Sequence, residues 1–135
     1  YNSFLREINH MRVNYSYKPI LLLAIMDSSN TNGEISMSET IDYYFDYYNQ
    51  QGNKRGEYEK PNSTFVTKPL NRTTAKRTII TYPIRVLMAK GFIDYDKTSE
   101  IIKLVPGIWK CMDNAAKDYV RQKCNEILEN YYTDI

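Results

Sequence analysis

The chain has 135 residues, 42% of them hydrophobic and 25% charged, which is the size of one folded domain and a composition that excludes intrinsic disorder. Its longest apolar run, Pro19 to Met26, falls far short of the roughly 20 residues a membrane-spanning helix requires, so no membrane partner is expected. A formal net charge of +2, two cysteines and one histidine leave no zinc site of ordinary ligand spacing and give no global drive toward a polyanion.

Phe4, Leu5, Ile8 and Met11 recur at helical spacing and predict a short amphipathic helix at the start. "YSYKPILLLAIMD" follows. A proline at the first helical position and an all-apolar continuation predict a helix buried on every side, the hub of the core. "DSSNTNG" ends it, with Asn32-Gly33 as a turn signal. "EIS" is long enough only for a bridging strand. Ser36 with Glu39 forms a capping box for the next helix, whose apolar stripe is Ile41, Tyr44, Phe45 and Tyr48, with Asp42, Asp46 and Asn49 facing water.

Residues 52–72 lack periodicity, carry glycines and prolines, and read as a long basic loop. Helical pattern resumes with Thr73 or Thr74 as cap. Pro83 breaks or kinks it, because the residue before a proline is pushed away from the helical region, so two helices are expected rather than one. The second, Pro83 to Lys90, places Ile84, Leu87 and Met88 on one face with Arg85 at its edge, and Gly91 stops it. "FIDYDKTSEIIKL" reads as a hairpin, Phe92 to Tyr95 and Ile101 to Leu104, turning at Asp96 to Ser99. Asp113 caps a long last helix whose inward stripe is Ala116, Val120, Cys124, Ile127 and Tyr131, with Trp109 sealing its beginning and Cys124 a buried, reduced thiol.

This order predicts a single domain over residues 1–135, α+β and mostly α: a winged-helix-like domain with a short β-hairpin wing and a long C-terminal helix. A helix feeding straight into a hairpin is how such a domain sets a recognition helix in a major groove and lets the wing touch neighbouring phosphates. The charge map agrees. Residues 1–51 carry three basic and six acidic side chains and residues 91–135 six and eight, whereas residues 52–90 carry nine basic against only Glu57 and Glu59. The candidate DNA contacts are therefore Arg72, Lys76, Arg77 and Arg85 on the helix pair, Lys97 at the wing tip, and Lys54, Arg55, Lys60 and Lys68 in the loop. Most of the 13 tyrosines are expected to pack with their hydroxyls at the rim. Tyr58, Tyr82 and Tyr95 lie near basic residues and are the ones placed for base stacking, Tyr82 foremost.

Catalysis is not expected. No lysine has Asp or Glu two positions before it, the spacing of common metal-dependent restriction nucleases, and His10 stands alone. "GNKRG" lacks the spacing of a phosphate-binding loop, and Ser16, Ser28 and Ser38 have no catalytic motif around them. No catalytic residue, metal or cofactor is assigned.

"SYKPILLLAIMD", "GEISMSETIDYYFDYYNQQGNKRG", "EKPNSTF", "YPIRVLMAKGFIDY" and "IWKCMDNAAKDYVRQKCNEILENYY" together resemble a C-terminal accessory region of bacterial superfamily II (DEAD/DEAH-type) helicases related to restriction-system motor subunits. The "KPILLL" helix opening is also similar to one in modification-dependent restriction proteins that read altered DNA. Both resemblances imply a DNA-recognition or coupling module in a bacterial, cytoplasmic protein, with ATPase or nuclease domains elsewhere. The chain opens at Tyr1 rather than methionine, so a fragment of a larger protein is expected. The reading is a non-catalytic DNA-binding accessory module whose partner is DNA, duplex first, and other domains or subunits of such a complex. The alternative is a protein docking domain of the same complex, using the acidic, tyrosine-rich helix from Met37 to Gln51.

Overall fold

The structure, a computed structural model, describes residues 1–50, 59–66 and 71–133. Its centre is α2 (Tyr17–Ser28), in which every residue from Pro19 to Met26 is buried, as a run with no polar face must be. Pro19 stands at the third helical position rather than the first, still within the opening turn where its missing N–H costs nothing. Against α2 packs the long C-terminal helix, here α7 (Asn114–Thr133), with Val120, Cys124, Leu128 and Tyr131 buried, and α1 (Asn2–His10) packs in turn on α7, with Phe4 and Ile8 buried. Leu128 takes the inward place expected of Ile127, which is only half-buried, as is Ala116. Asp113 does cap α7: its Oδ1 accepts from the Ala116 N–H at 2.8 Å. No described helix is long and apolar enough to cross a membrane.

β1 (Glu34–Ser36) leads directly into α3 (Met37–Asn49). The Ser36 hydroxyl accepts from the Glu39 N–H at 3.0 Å and donates to the Glu39 carboxylate, also at 3.0 Å, which closes the capping region. The buried side of α3 is Ile41, Tyr44, Tyr47 and Tyr48, with Tyr47 in place of Phe45, which is half-buried. Phe65, on a short 3-10 turn (Thr64–Val66), stacks on Tyr48 at 4.4 Å and on Tyr44 at 5.5 Å and closes that side of the core.

The next helix begins at α4 (Arg72–Ile79) with Asn71 as its cap, not Thr73 or Thr74; the Asn71 side chain accepts from the Thr74 N–H at 3.0 Å. Pro83 does not divide it. The run continues as a π turn (Ile80–Ile84) and then α5 (Arg85–Ala89), with the Arg85 N–H donating to Ile80 O, five residues back. Widening the turn gives the proline ring room from the preceding turn and absorbs its missing N–H, so the helix is kept where an α-helical turn would break. The buried side is Ala75, Thr78, Ile79, Pro83, Ile84 and Leu87, whereas Met88, expected inward, is 42% exposed. Gly91 (φ +79°) ends the run in the left-handed position, its N–H on Met88 O and the Phe92 N–H on Leu87 O.

β2 (Ile93–Asp96) and β3 (Ile101–Leu104) form the hairpin, and β3 also pairs with β1, giving a three-stranded antiparallel sheet in the order β1-β3-β2. Ile35, Ile93, Ile102 and Leu104 are buried on its inner face. Glu100 closes the hairpin turn at φ +58° and ties three elements. Its N–H donates to Asp96 O, its carbonyl accepts from the Met37 N–H at 2.8 Å, and its carboxylate accepts from the Lys76 ammonium. After α6 (Pro106–Trp109), the Trp109 indole donates to Thr31 O at 3.1 Å and lies against Gly33, closing the α2–β1 turn, while the Lys117 ammonium in the first turn of α7 lies 4.8 Å from its ring centre, so the ring also covers the start of α7 as expected.

Candidate nucleic-acid interface

The exposed side of the run from α4 to α5 carries Thr73, Arg77, Thr81 and Arg85 at four-residue intervals. The guanidinium groups of Arg77 and Arg85 make no ion pair or hydrogen bond with another described residue. Arg85 is exposed, although it stands beside the buried Ile84. Between Thr73, Lys76, Arg77, Ile80 and Thr81 lies a shallow hollow of about 260 Å³.

Two of the predicted contacts are engaged elsewhere. Arg72 reaches Asp42 on α3 at 2.6 Å and Ser38 at 3.2 Å, with its guanidinium 5.8 Å from the Phe45 ring, so it clamps α4 to α3. Lys76 is bonded to Glu100 of the hairpin, and that bond raises the lysine's pKa. Both pairs are well exposed, and such pairs hold weakly enough for a phosphate to compete for the cation. Lys97 is exposed on the hairpin turn as expected. Beside it Asp96 accepts from the Thr98 and Ser99 N–H groups, which lower its pKa and fix a negative charge at the tip. Lys54, Arg55 and Lys68, with Tyr58, lie outside the described residues.

Lys60 stands apart from the helix face. Its ammonium lies 5.9 Å from the Tyr15 ring centre and 5.5 Å from that of Tyr131. Tyr82 is 55% exposed at the π turn, with its ring 5.9 Å from Tyr17, which in turn stacks on Tyr15 at 5.3 Å. Tyr95 is half-buried in the hairpin.

A feature the sequence does not announce is the burial of Glu59, at 5% exposure. Its Oε1 accepts from the hydroxyls of Ser16 at 2.6 Å, Tyr131 at 3.3 Å and Ser63 at 3.4 Å, and Ser16 is also bonded to the Tyr48 hydroxyl. Burial raises the Glu59 pKa, and the hydroxyls of Ser16, Tyr132, Tyr131 and Ser63 offset part of that rise. The cluster pins the segment 59–66 to α2, α3 and α7. A signal was present: a carboxylate inside a basic, tyrosine-flanked stretch, in a chain with an excess of phenolic donors.

Among the described residues no group of three or more His, Cys, Asp or Glu side chains could hold a metal ion. Cys111 and Cys124 are unpaired, and burial pushes the Cys124 thiol up to about 12. Compared with protein-family models, curated proteins and solved structures, the chain finds no match in any of the three.

Proposed function

We propose that this is a winged-helix domain serving as a non-catalytic DNA-binding accessory module, of the kind its resemblance to bacterial helicase and restriction-type proteins implies. The observation that carries the reading is the helical run 72–89, with Arg77 and Arg85 exposed and unengaged, leading through Gly91 into a hairpin whose sheet order is β1-β3-β2. Helix, short strand, two helices and a hairpin in that order support the winged-helix assignment. A helix so placed can lie in a major groove with its arginines on base edges and phosphates, while Lys97 meets the flanking backbone.

The docking alternative loses part of its basis. Tyr44, Tyr47 and Tyr48 are buried, so the tyrosine-rich helix offers a partner Ser38, Glu39, Asp42 and Asp46 but little aromatic surface.

The phosphate count starts from Arg77, Arg85 and Lys97, which have no ion pair to exchange for a phosphate, while Arg72 and Lys76 would add to it only by giving up Asp42 and Glu100. Three contacts to duplex DNA give a log-log slope of affinity against salt of about −2.7, and Arg77→Ala with Arg85→Ala should reduce its magnitude by about 1.8. Fluorescence anisotropy across a salt series measures both. Salt-independent or absent binding to duplex and single strands by a folded protein, together with co-purification of a stable protein partner, would replace this reading with the docking one.

A further inference from the structure

Beside the proposed recognition helix, a cleft of about 250 Å³ opens between the loop after α1, the start of α2 and the π turn. Its walls are the rings of Tyr15, Tyr17 and Tyr82 with Pro83 and Val86, and its polar groups are Arg12, Asn14 and Lys18. The Tyr17 ring is fixed in place. Its hydroxyl donates to Ser63 Oγ at 3.3 Å and accepts from the Thr64 N–H at 2.9 Å, and Phe65 packs on its edge at 5.7 Å. Tyr82, in contrast, is more than half exposed, so an open ring stands beside a rigid one.

The charge at this cleft has one sign. Lys18 donates to Arg12 O at 3.1 Å and stands 3.9 Å from Glu7, so it is partly committed to holding the loop. The Arg12 guanidinium and the Asn14 amide bond to no other described residue, and no acidic side chain lines the cleft. Lys60 lies beside Tyr15 and, with Arg12, borders the neighbouring hollow. Flat aromatic walls, an amide able both to donate and to accept, and an unengaged guanidinium match a planar heterocycle that carries an anion.

We propose that this cleft takes one unstacked nucleobase with its phosphate, the base lying on Tyr82, its edge toward Asn14 and its phosphate on Arg12. The inference rests on the DNA-binding reading for the source of the base, since a strand held along α4 and α5 passes the π turn that carries Tyr82. A free nucleotide has the same chemistry, and the two sources are separated by experiment. Stacking needs only the ring, so Tyr82→Phe should bind as wild type, whereas Tyr82→Ala should weaken binding by about 5- to 150-fold.

The test uses 2-aminopurine as the extra base of a single-nucleotide bulge in a duplex, a fully paired duplex of the same flanks, and AMP alone. The expected result is tighter binding of the bulged duplex with quenching of 2-aminopurine, both lost in Tyr82→Ala, retained in Tyr82→Phe and weakened in Arg12→Ala. Tyr82→Ala should weaken binding of the bulged duplex more than that of the paired one, bringing the two affinities together. Tyr82-dependent binding of AMP without any DNA binding would support the cleft and assign it to free nucleotides while the DNA reading fails. Equal affinity for bulged and paired duplexes, unaffected by Tyr82→Ala, would overturn the cleft and leave the DNA reading intact. Failure to bind all three ligands by a protein with wild-type melting behaviour would overturn both.

Discussion

Replacing Glu59 by alanine and by glutamine separates what its carboxylate does as an acceptor from what it does as an acid. Its Oε1 accepts three hydroxyls, and only that of Ser16, at 2.6 Å, has the separation of a strong charge-assisted bond, worth about 1.5 to 3 kcal/mol. The bonds from Tyr131 and Ser63, at 3.3 and 3.4 Å, contribute about half a kcal/mol each or less. Glu59→Ala removes these bonds together with that of the Tyr132 hydroxyl and leaves hydroxyls short of a partner inside the protein, so a loss of about 2 to 4 kcal/mol is expected. Glu59→Gln keeps an acceptor in the same place and removes the titration. Burial holds the native carboxyl above its ordinary 4.5, so between 4.5 and the raised value the folded chain keeps a proton that the unfolded chain has released. The stability this contributes is fully present below 4.5 and is lost as pH rises through the raised value. Urea melts of both proteins from about pH 4 to about pH 8 should therefore show the glutamine variant gaining on wild type as pH rises. A wild-type advantage that instead grows across that range would mean the cluster stabilises the anion, and the reasoning from burial would be wrong.

Leu22 has no exposed surface, so Leu22→Ala should cost about 2 to 5 kcal/mol in denaturant melts; a loss under about half a kcal/mol would remove α2 from the centre of the core. Gly33 combines φ +76° with a Trp109 ring atom 2.6 Å from where a Cβ would stand. Gly33→Ala should destabilise by more than the roughly 1 to 2 kcal/mol of the backbone alone, with a change in tryptophan fluorescence, and Gly91→Ala, with nothing within 4 Å, should show the backbone cost only. Cys111 should react with a thiol reagent in the native protein, whereas Cys124, its thiol pushed up to about 12, should react only on unfolding; equal rates for the two in the native state would contradict the packing of α7.

Local signals accounted for the elements whose causes are local. The capping residues Ser36 and Glu39, the left-handed Gly91 and the hairpin strands around Asp96 to Glu100 each depend on atoms within a few residues. Pro83 misled because the rule that proline breaks a helix assumes α-helical spacing, and tertiary packing of Ile79, Ile84 and Leu87 holds the run together through a wider turn. Tyr47 is buried because it continues the helical spacing of Thr40 and Tyr44, whereas Phe45 falls at the edge of that face, with the Arg72 guanidinium 5.8 Å from its ring. In the candidate site, Arg77, Arg85 and Lys97 were legible as cations and are exposed as expected. The pairing of Arg72 with Asp42 and of Lys76 with Glu100 was not, because each joins residues far apart in sequence. Glu59 was hidden for the same reason: its hydroxyl donors come from α7, the segment before α2 and its own turn.

Glu100 gives the helix and the hairpin a common fixture. Its carbonyl is bonded to the first residue of α3, its carboxylate to α4, and its left-handed backbone sets the turn between β2 and β3. The hairpin is thus keyed to two helices rather than hung from one. A ligand that touches both α4 and the hairpin meets them already at their final angle, so the conformational entropy of aligning them is spent during folding and not during binding. Association should then be fast and rigid-body in character, with a heat capacity change set by the contact surface alone, whereas a variant loosened at Glu100 would bind with a more unfavourable entropy at nearly unchanged contacts.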